Sequence, residues 1–317
     1  MILDFLFFFN IIKIILGLFL LIKLSPIVVK YSVKLGEIFH VSPMLIGIIA
    51  VAIGTSLPEI ATGVVSSVSG HAEINIGNCI GSALSNLTII MGLSVLISGT
   101  LKTERKNIFV LGSAVILSTI ISYFIVTSGT ISRLSGFFLV ITYVAIFYLI
   151  NSGVTKKEYV TKEYQTPIFS DFVWRYMFFL LLGLLGIVLG SMVLIDGVGW
   201  VSVELGIPEF IISFLVVSIG TSLPELFVGI SALRKKEYEL FLGDILGSNV
   251  TDLTLAIGVG PIFSPNFFDS ALVEPTTGYL TIVTVIIILI MGIRKKIDRK
   301  TAILLLVLYF MSYLLLF

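Results

Sequence analysis

No charged residue and no proline lies between Met177 and Ile195. A helix needs roughly 20 consecutive apolar residues to cross the hydrocarbon core of a bilayer. Runs of the same character cover Phe109–Thr127, Leu134–Ile150, Gly278–Met291 with its flanks, and Ala302–Phe317. Within a bilayer the backbone has to satisfy its own polar groups, which leaves helices or closed barrels. Continuous apolar runs, without the alternation of a barrel strand, select helices. Only 12% of the 317 residues are charged, against about 25% in soluble domains, and the mean hydropathy is +1.13. The chain therefore reads as an all-α integral membrane protein. Its net charge of +1 gives no basis for a nucleic-acid partner. The single cysteine, Cys79, falls in a predicted span, so no intrachain disulfide is expected. The start, MILDF, has an acid where a signal peptide would be basic, so the first helix is expected to be retained.

The sequence is written twice. A shift of 166 positions lays Ile53–Glu59 on Ile219–Glu225 with identity at every position. Without a gap, "IGNCIGSALSNLT" (Ile76–Thr88) then falls on "LGDILGSNVTDLT" (Leu242–Thr254). Polar breaks divide the chain into predicted spans near 10–33, 43–68, 75–98, 107–127 and 132–150. In the second half they lie near 173–196, 208–232, 239–263, 275–293 and 300–317. The expectation is ten transmembrane helices: a five-helix repeat over 1–150, a cytoplasmic linker over 151–172, and a second five-helix repeat over 173–317.

Loops after the odd-numbered spans carry the bases: Lys30 and Lys34; Lys102, Arg105 and Lys106; Lys156, Lys157 and Lys162; Arg234–Lys236; Arg294–Lys296, Arg299 and Lys300. The opposite loops carry Arg133 and the acids Glu73, Asp196, Glu204, Asp269 and Glu274. By the positive-inside rule, both termini lie outside the cell membrane. Five helices is an odd number, so the second repeat enters from the opposite side. Inverted repeats of this kind organise many secondary transporters, with substrate held at the midplane. Lys13 and Lys23, inside the first span, read as stems snorkelling to the interface.

Both copies of "GTSLPE" put a proline and a glutamate inside a span. Pro58 has no N–H, so the carbonyl of Gly54 loses its helical partner and the helix should open there. Such carbonyls are tolerated in a membrane only where they are re-satisfied or line a cavity. Glu59 follows at once, with Thr55 one turn back and Ser56 beside it. Thr221, Ser222, Pro224 and Glu225 repeat the arrangement. Ser82 and Asn86, and likewise Ser248 and Asp252, are spaced i,i+4 and share one helix face. A charge at the membrane centre costs about 2.5–3.5 kcal/mol on insertion scales. No lysine or arginine is predicted at the depth of Glu59, Glu225 and Asp252, so a mobile cation is the simplest partner. The oxygen donors suit Ca2+ or Na+ rather than soft metals. Gly77-x-x-x-Gly81 and Gly243-x-x-x-Gly247 read as close-packing faces. Asp244, one turn before Ser248, fits either the lining of an inner entrance or an ordinary helix-end position.

"GTSLPE" twice, each followed by "GS-x-x-x-N/D", resembles the two α-repeats of the Ca2+/cation antiporter superfamily. More narrowly, it is similar to the sodium/calcium exchangers of the compact prokaryotic type. The Ca2+/H+ branch typically has GN-x-x-E at this place. The resemblance implies the sodium/calcium exchanger fold and a diamond of cation sites between spans 2, 3, 7 and 8. It implies Glu59 and Glu225 as central Ca2+ ligands with the backbone carbonyls of Thr55 and Thr221. Ser56, Ser82, Ser222 and Ser248, with the backbones of Ala52 and Ser218, match flanking Na+ positions, and Asn86 and Asp252 match the central pair. It also implies spans 1 and 6 sliding across this core. Asp244 stands where the family usually has asparagine.

The expected activity is exchange of Na+ for Ca2+, with about three Na+ per Ca2+ if one Na+ answers each acid. No enzyme activity, cofactor or nucleotide is expected; no GxxxxGK[ST] loop occurs. Ca2+, Na+ and the lipid bilayer are the expected partners of a monomer. A Ca2+/H+ exchanger on the same scaffold and a passive cation channel are the alternatives. An aspartyl protease would need a glycine two residues before Gly243-Asp244, where Phe241 stands.

Overall fold

The computed structural model of the chain describes residues 2–38, 53–103, 105–153, 171–236 and 238–316. Ala52, His40, the first part of the second predicted span and most of the predicted linker lie outside the described residues. The fold is almost entirely helical. Helices run over α1 Ile2–Ile38, α2 Leu57–Ser69, α3 Ala72–Ser98, α4 Arg105–Val126 and α5 Arg133–Gly153. They continue over α6 Asp171–Leu205, α7 Glu209–Arg234, α8 Tyr238–Phe263, α9 Ser270–Arg294 and α10 Arg299–Met311. Eight of these contain segments long and apolar enough to cross a membrane; α2, as described, and α10 are the shorter pair.

Burial separates a centre from a periphery. In α3 and α8, 78% of the apolar window is buried, against 24% in α1 and 28% in α5. The apolar residues left exposed on α1, α4, α5 and α6, such as Phe8, Phe109, Phe138 and Leu182, form the outer surface expected of helices in lipid. Small residues bring the central helices together. A Cβ on Gly77 would sit 2.6 Å from the Phe210 carbonyl oxygen, and one on Gly81 would sit 2.7 Å from that of Phe214. Backbone contact of this kind needs glycine, and it presses α3 onto α7. The face at Gly243 shows no such contact: among the described residues, no atom comes within 4 Å of its Cβ position. Met44, which the 166-residue shift aligns with Phe210, lies outside the described residues.

The two sequence halves interlock. In the central layer α3 packs on α7 and α10, while α8 packs on α2, α4 and α5. At the periphery α9 packs on α4, and α1 lies along α6. Two short antiparallel sheets add brackets between the halves. Strand β1 (Leu101–Lys102) pairs with β4 (Lys296–Ile297), and β2 (Thr130–Ile131) pairs with β3 (Asn266–Phe267).

Two sequence expectations need correction here. Helix α6 does not stop near residue 196 but runs to Leu205, where Gly206 at φ 63° ends it. The residues after Asp196 are rich in glycine and valine and are poor helix formers by themselves, but Val198 and Val201 are buried against α1, and this packing carries the helix on, so Asp196 sits within the helix rather than in a loop. Lys13 is consequently not simply snorkelling: its Nζ meets Asp196 Oδ2 at 2.5 Å, tying α1 to α6. The Lys13 ammonium also lies 4.9 Å from the centre of the Phe9 ring.

The turn between α9 and α10 is held by one carboxylate. Asp298 caps α10 by accepting from the Thr301 amide at 3.1 Å and the Thr301 hydroxyl at 2.9 Å, and pairs with Arg294 at 2.8 Å. The Thr301 bonds foremost, then Arg294 and Lys296, hold its carboxyl at about 2, below the usual 3.8. A depressed carboxyl stabilises the fold above its unfolded value and loses that contribution as pH falls through about 2. Asp298→Asn should therefore lower the detergent-solubilised melting temperature at neutral pH, with the gap to wild type closing between pH 4 and 2. A gap that persisted at pH 2 would contradict this capping role.

Candidate cation site

The proline motifs break their helices in the same way in both halves. Ser56 leaves helical geometry at φ −82°, ψ 9°, and Ser222 at φ −84°, ψ 4°. Each precedes a short helix with proline in its first turn, and each carbonyl accepts from four residues on: Ile60 N at 3.0 Å and Leu226 N at 3.3 Å. The glutamates thus project from the first turn of a re-started helix, beside the positive end of its dipole.

The facing walls carry a second irregularity. A π-turn occupies Asn86–Ile90 in α3, and another occupies Thr251–Ala256 in α8. Such turns insert a residue into the helical ladder and re-aim the side chains beyond it. They begin at Asn86 and immediately before Asp252. No residue pattern announces a π-turn, and sequence reasoning missed both.

Most of the expected site residues meet between the helices. Ser82 Oγ donates to Glu59 Oε1 at 3.2 Å, lies 3.4 Å from Thr221 Oγ1 and reaches the Ser218 carbonyl at 3.4 Å. Thr221 Oγ1 donates to Asn78 Oδ1 at 3.0 Å. On the other flank, Thr55 Oγ1 lies 3.1 Å from Ser248 Oγ and donates to Asp244 Oδ1 at 3.2 Å. Asn86 Nδ2 donates to Asp252 Oδ2 at 3.5 Å. Ser56, Ser222 and Glu225 are also fully buried; the Ser56 hydroxyl lies beside the Asp252 carboxylate, while no hydrogen bond to the Ser222 hydroxyl or the Glu225 carboxylate occurs among the described residues. Ala52 lies outside them.

Asn78 and Asp244 are the additions to the expected set. Both are buried and both join the hydroxyl chains. The signal was present in the sequence: the two are equivalent under the 166-residue shift. For Asp244, burial excludes an ordinary interfacial helix-end role.

Electrostatically the site is unbalanced. Glu59, Glu225 and Asp252 have no exposure and Asp244 has 1%. Ion pairs among the described residues join Lys13 to Asp196, His71 to Glu209, and Arg294 and Lys296 to Asp298; none reaches these four acids. Glu59 Oε2, both Glu225 oxygens, Asp244 Oδ2 and Asp252 Oδ1 lack a hydrogen-bond partner among the described residues. Buried unpaired carboxylates are strongly disfavoured unless something neutralises them. Among the described residues no three acidic, histidine or cysteine side chains converge on one point. Hydroxyl and carbonyl oxygens would therefore have to complete any coordination shell. Such mixed oxygen shells suit hard cations.

A family described as sodium/calcium exchanger protein matches residues 9–151 and 175–317. The chain is 34% identical over 252 residues to an uncharacterized membrane protein of Methanocaldococcus jannaschii, covering 78% of this chain and 80% of that one. It is 27% identical to the sodium/calcium exchanger MaX1 of Methanosarcina acetivorans, over 95% and 96% of the two chains. Among solved structures it is similar to the sodium-calcium exchanger NCX_Mj soaked with 2.5 mM Na+ and 10 mM Sr2+. That likeness has a TM-score of 0.63 at 30% identity, over 97% of this chain and 99% of that one.

Proposed function

Because this chain belongs to the sodium/calcium exchanger protein family, we propose that it exchanges Na+ for Ca2+ across the cell membrane by alternating access. One observation carries the reading: the fully buried Glu59, Glu225 and Asp252 have no basic partner among the described residues. Cations that come and go supply the missing charge. Glu59 and Glu225, with the carbonyl oxygens of Thr55 and Thr221, form the central Ca2+ position. Ser56, Ser82, Ser222 and Ser248, with the carbonyls of Ala52 and Ser218, flank it as Na+ positions, and Asn86 and Asp252 close the middle.

The chain crosses the membrane ten times, as two inverted five-helix repeats over 1–150 and 173–317 with both termini outside. Contact between Asn86 and Asp252, which are equivalent under the repeat, supports a two-fold axis passing beside them. Ca2+ and Na+ compete for one ligand set, and the unloaded site resists reorientation because its acids then lie bare. About three Na+ replace one Ca2+, so each cycle moves charge.

Radioactive Ca2+ uptake into proteoliposomes tests this, with an imposed Na+ gradient, a pH gradient, or neither. Uptake is expected only with the Na+ gradient, and a membrane potential should shift it. Uptake driven by the pH step alone would replace Na+ by H+ as the coupling ion. Uptake that needed no counter-ion and did not saturate would indicate a channel.

A further inference from the structure

The two flanks of the site share a Thr–Ser pair and differ in the side chain that closes it. On one flank Thr221 Oγ1 lies 3.4 Å from Ser82 Oγ and donates to Asn78 at 3.0 Å. On the other, the repeat-equivalent Thr55 Oγ1 lies 3.1 Å from Ser248 Oγ and donates to Asp244 at 3.2 Å. Thr, Ser and their spacing are preserved; the amide of Asn78 becomes the carboxylate of Asp244. An amide offers one acceptor oxygen and two donor hydrogens, whereas a carboxylate offers two acceptors and a charge.

The second oxygen of that carboxylate is the telling atom. Asp244 is 1% exposed, and its Oδ2 has no hydrogen-bond partner among the described residues. A charged Asp244 leaves Oδ2 a buried charge with no donor and no counter-charge among the described residues. A cation bound at Oδ2 supplies the missing charge. We propose that Asp244 ligates a transported cation of the Na+ type on the Thr55–Ser248 flank, and that this flank binds it more tightly than the neutral Thr221–Ser82–Asn78 flank. This rests on the antiport reading for what the cation does, but not for whether it binds.

Equilibrium binding of radioactive Na+ to the purified full-length chain in detergent tests the assignment without transport. Ligand charge tunes cation affinity strongly, so Asp244→Asn should weaken Na+ binding about tenfold and Asn78→Asp should strengthen it. The exchange variant carrying both substitutions should return close to wild type. Unchanged Na+ affinity in D244N overturns the proposal. Should D244N not yield a single gel-filtration peak, N78D decides alone, and an affinity equal to wild type there overturns it. Failure of Na+-driven Ca2+ flux in wild type, with these binding shifts intact, would instead remove the antiport reading and leave Asp244 as a ligand.

Discussion

Glu59→Gln and Glu225→Gln should each reduce Ca2+ uptake at least about a hundredfold, since each removes a charged ligand from a shell that depends on it. The fold should survive. Glutamine keeps the volume, and an amide is less costly to bury than an unpaired carboxylate. For Glu225 both oxygens lack a hydrogen-bond partner among the described residues, so no internal bond is lost there. For Glu59 the Ser82 contact at 3.2 Å can persist to the amide oxygen. The two variants should therefore melt no lower than wild type in Na+-free, Ca2+-free buffer, and should lose the upward shift that Ca2+ gives wild type. Uptake above a tenth of wild type in both, at matched reconstitution, would refute their central role.

Gly81→Val should instead destroy the scaffold. A Cβ on Gly81 would lie 2.7 Å from the Phe214 carbonyl oxygen and 2.7 Å from Ser218 Cβ and Oγ. These atoms belong to the neighbouring helix, and a backbone carbonyl cannot rotate away as a side chain does. Both γ-methyls of valine would add to the overlap. Overpacking of this kind typically costs about 1–3 kcal/mol, and more where backbone must move. The parting of α3 from α7 would also pull Ser82 away from the Ser218 carbonyl and Thr221. The expected result is loss of the monodisperse peak on gel filtration. Gly278→Ala is the control, because among the described residues its Cβ would meet only Tyr123 Cε2 at an ordinary 3.6 Å. Equal behaviour of the two variants would show that close approach at Gly81 is not required.

Hydropathy and the doubled motif are enough to find the eight long apolar helices and the two helix breaks. Pro58 and Pro224 act on their own helices, so their effect is local and readable. Lys13 and Asp196 are misread from sequence because their partnership spans two helices and depends on how far α6 extends. Asp244 is undecided there for a related reason: a one-dimensional sequence has no depth, and only the approach of Thr55 from the other half shows that it is inside. The π-turns and the two-residue strand brackets are illegible, since neither has a residue signature of its own.

The interlocking of the halves constrains how the protein can be made. Helices α2 and α3 leave the ribosome carrying Glu59, Ser82 and Asn86, while the helices that enclose them, α7 and α8, are still unsynthesised. At ordinary rates that interval is on the order of ten seconds. During it the first half sits in the bilayer with a polar face open to lipid, and with Gly77 and Gly81 lacking the backbone they are shaped to meet. The first half therefore depends on later-made helices to cover its polar face. The buried site residues of the first half are enclosed only by helices that follow them in the chain, α7 and α8, and α10 then packs on α3 from outside.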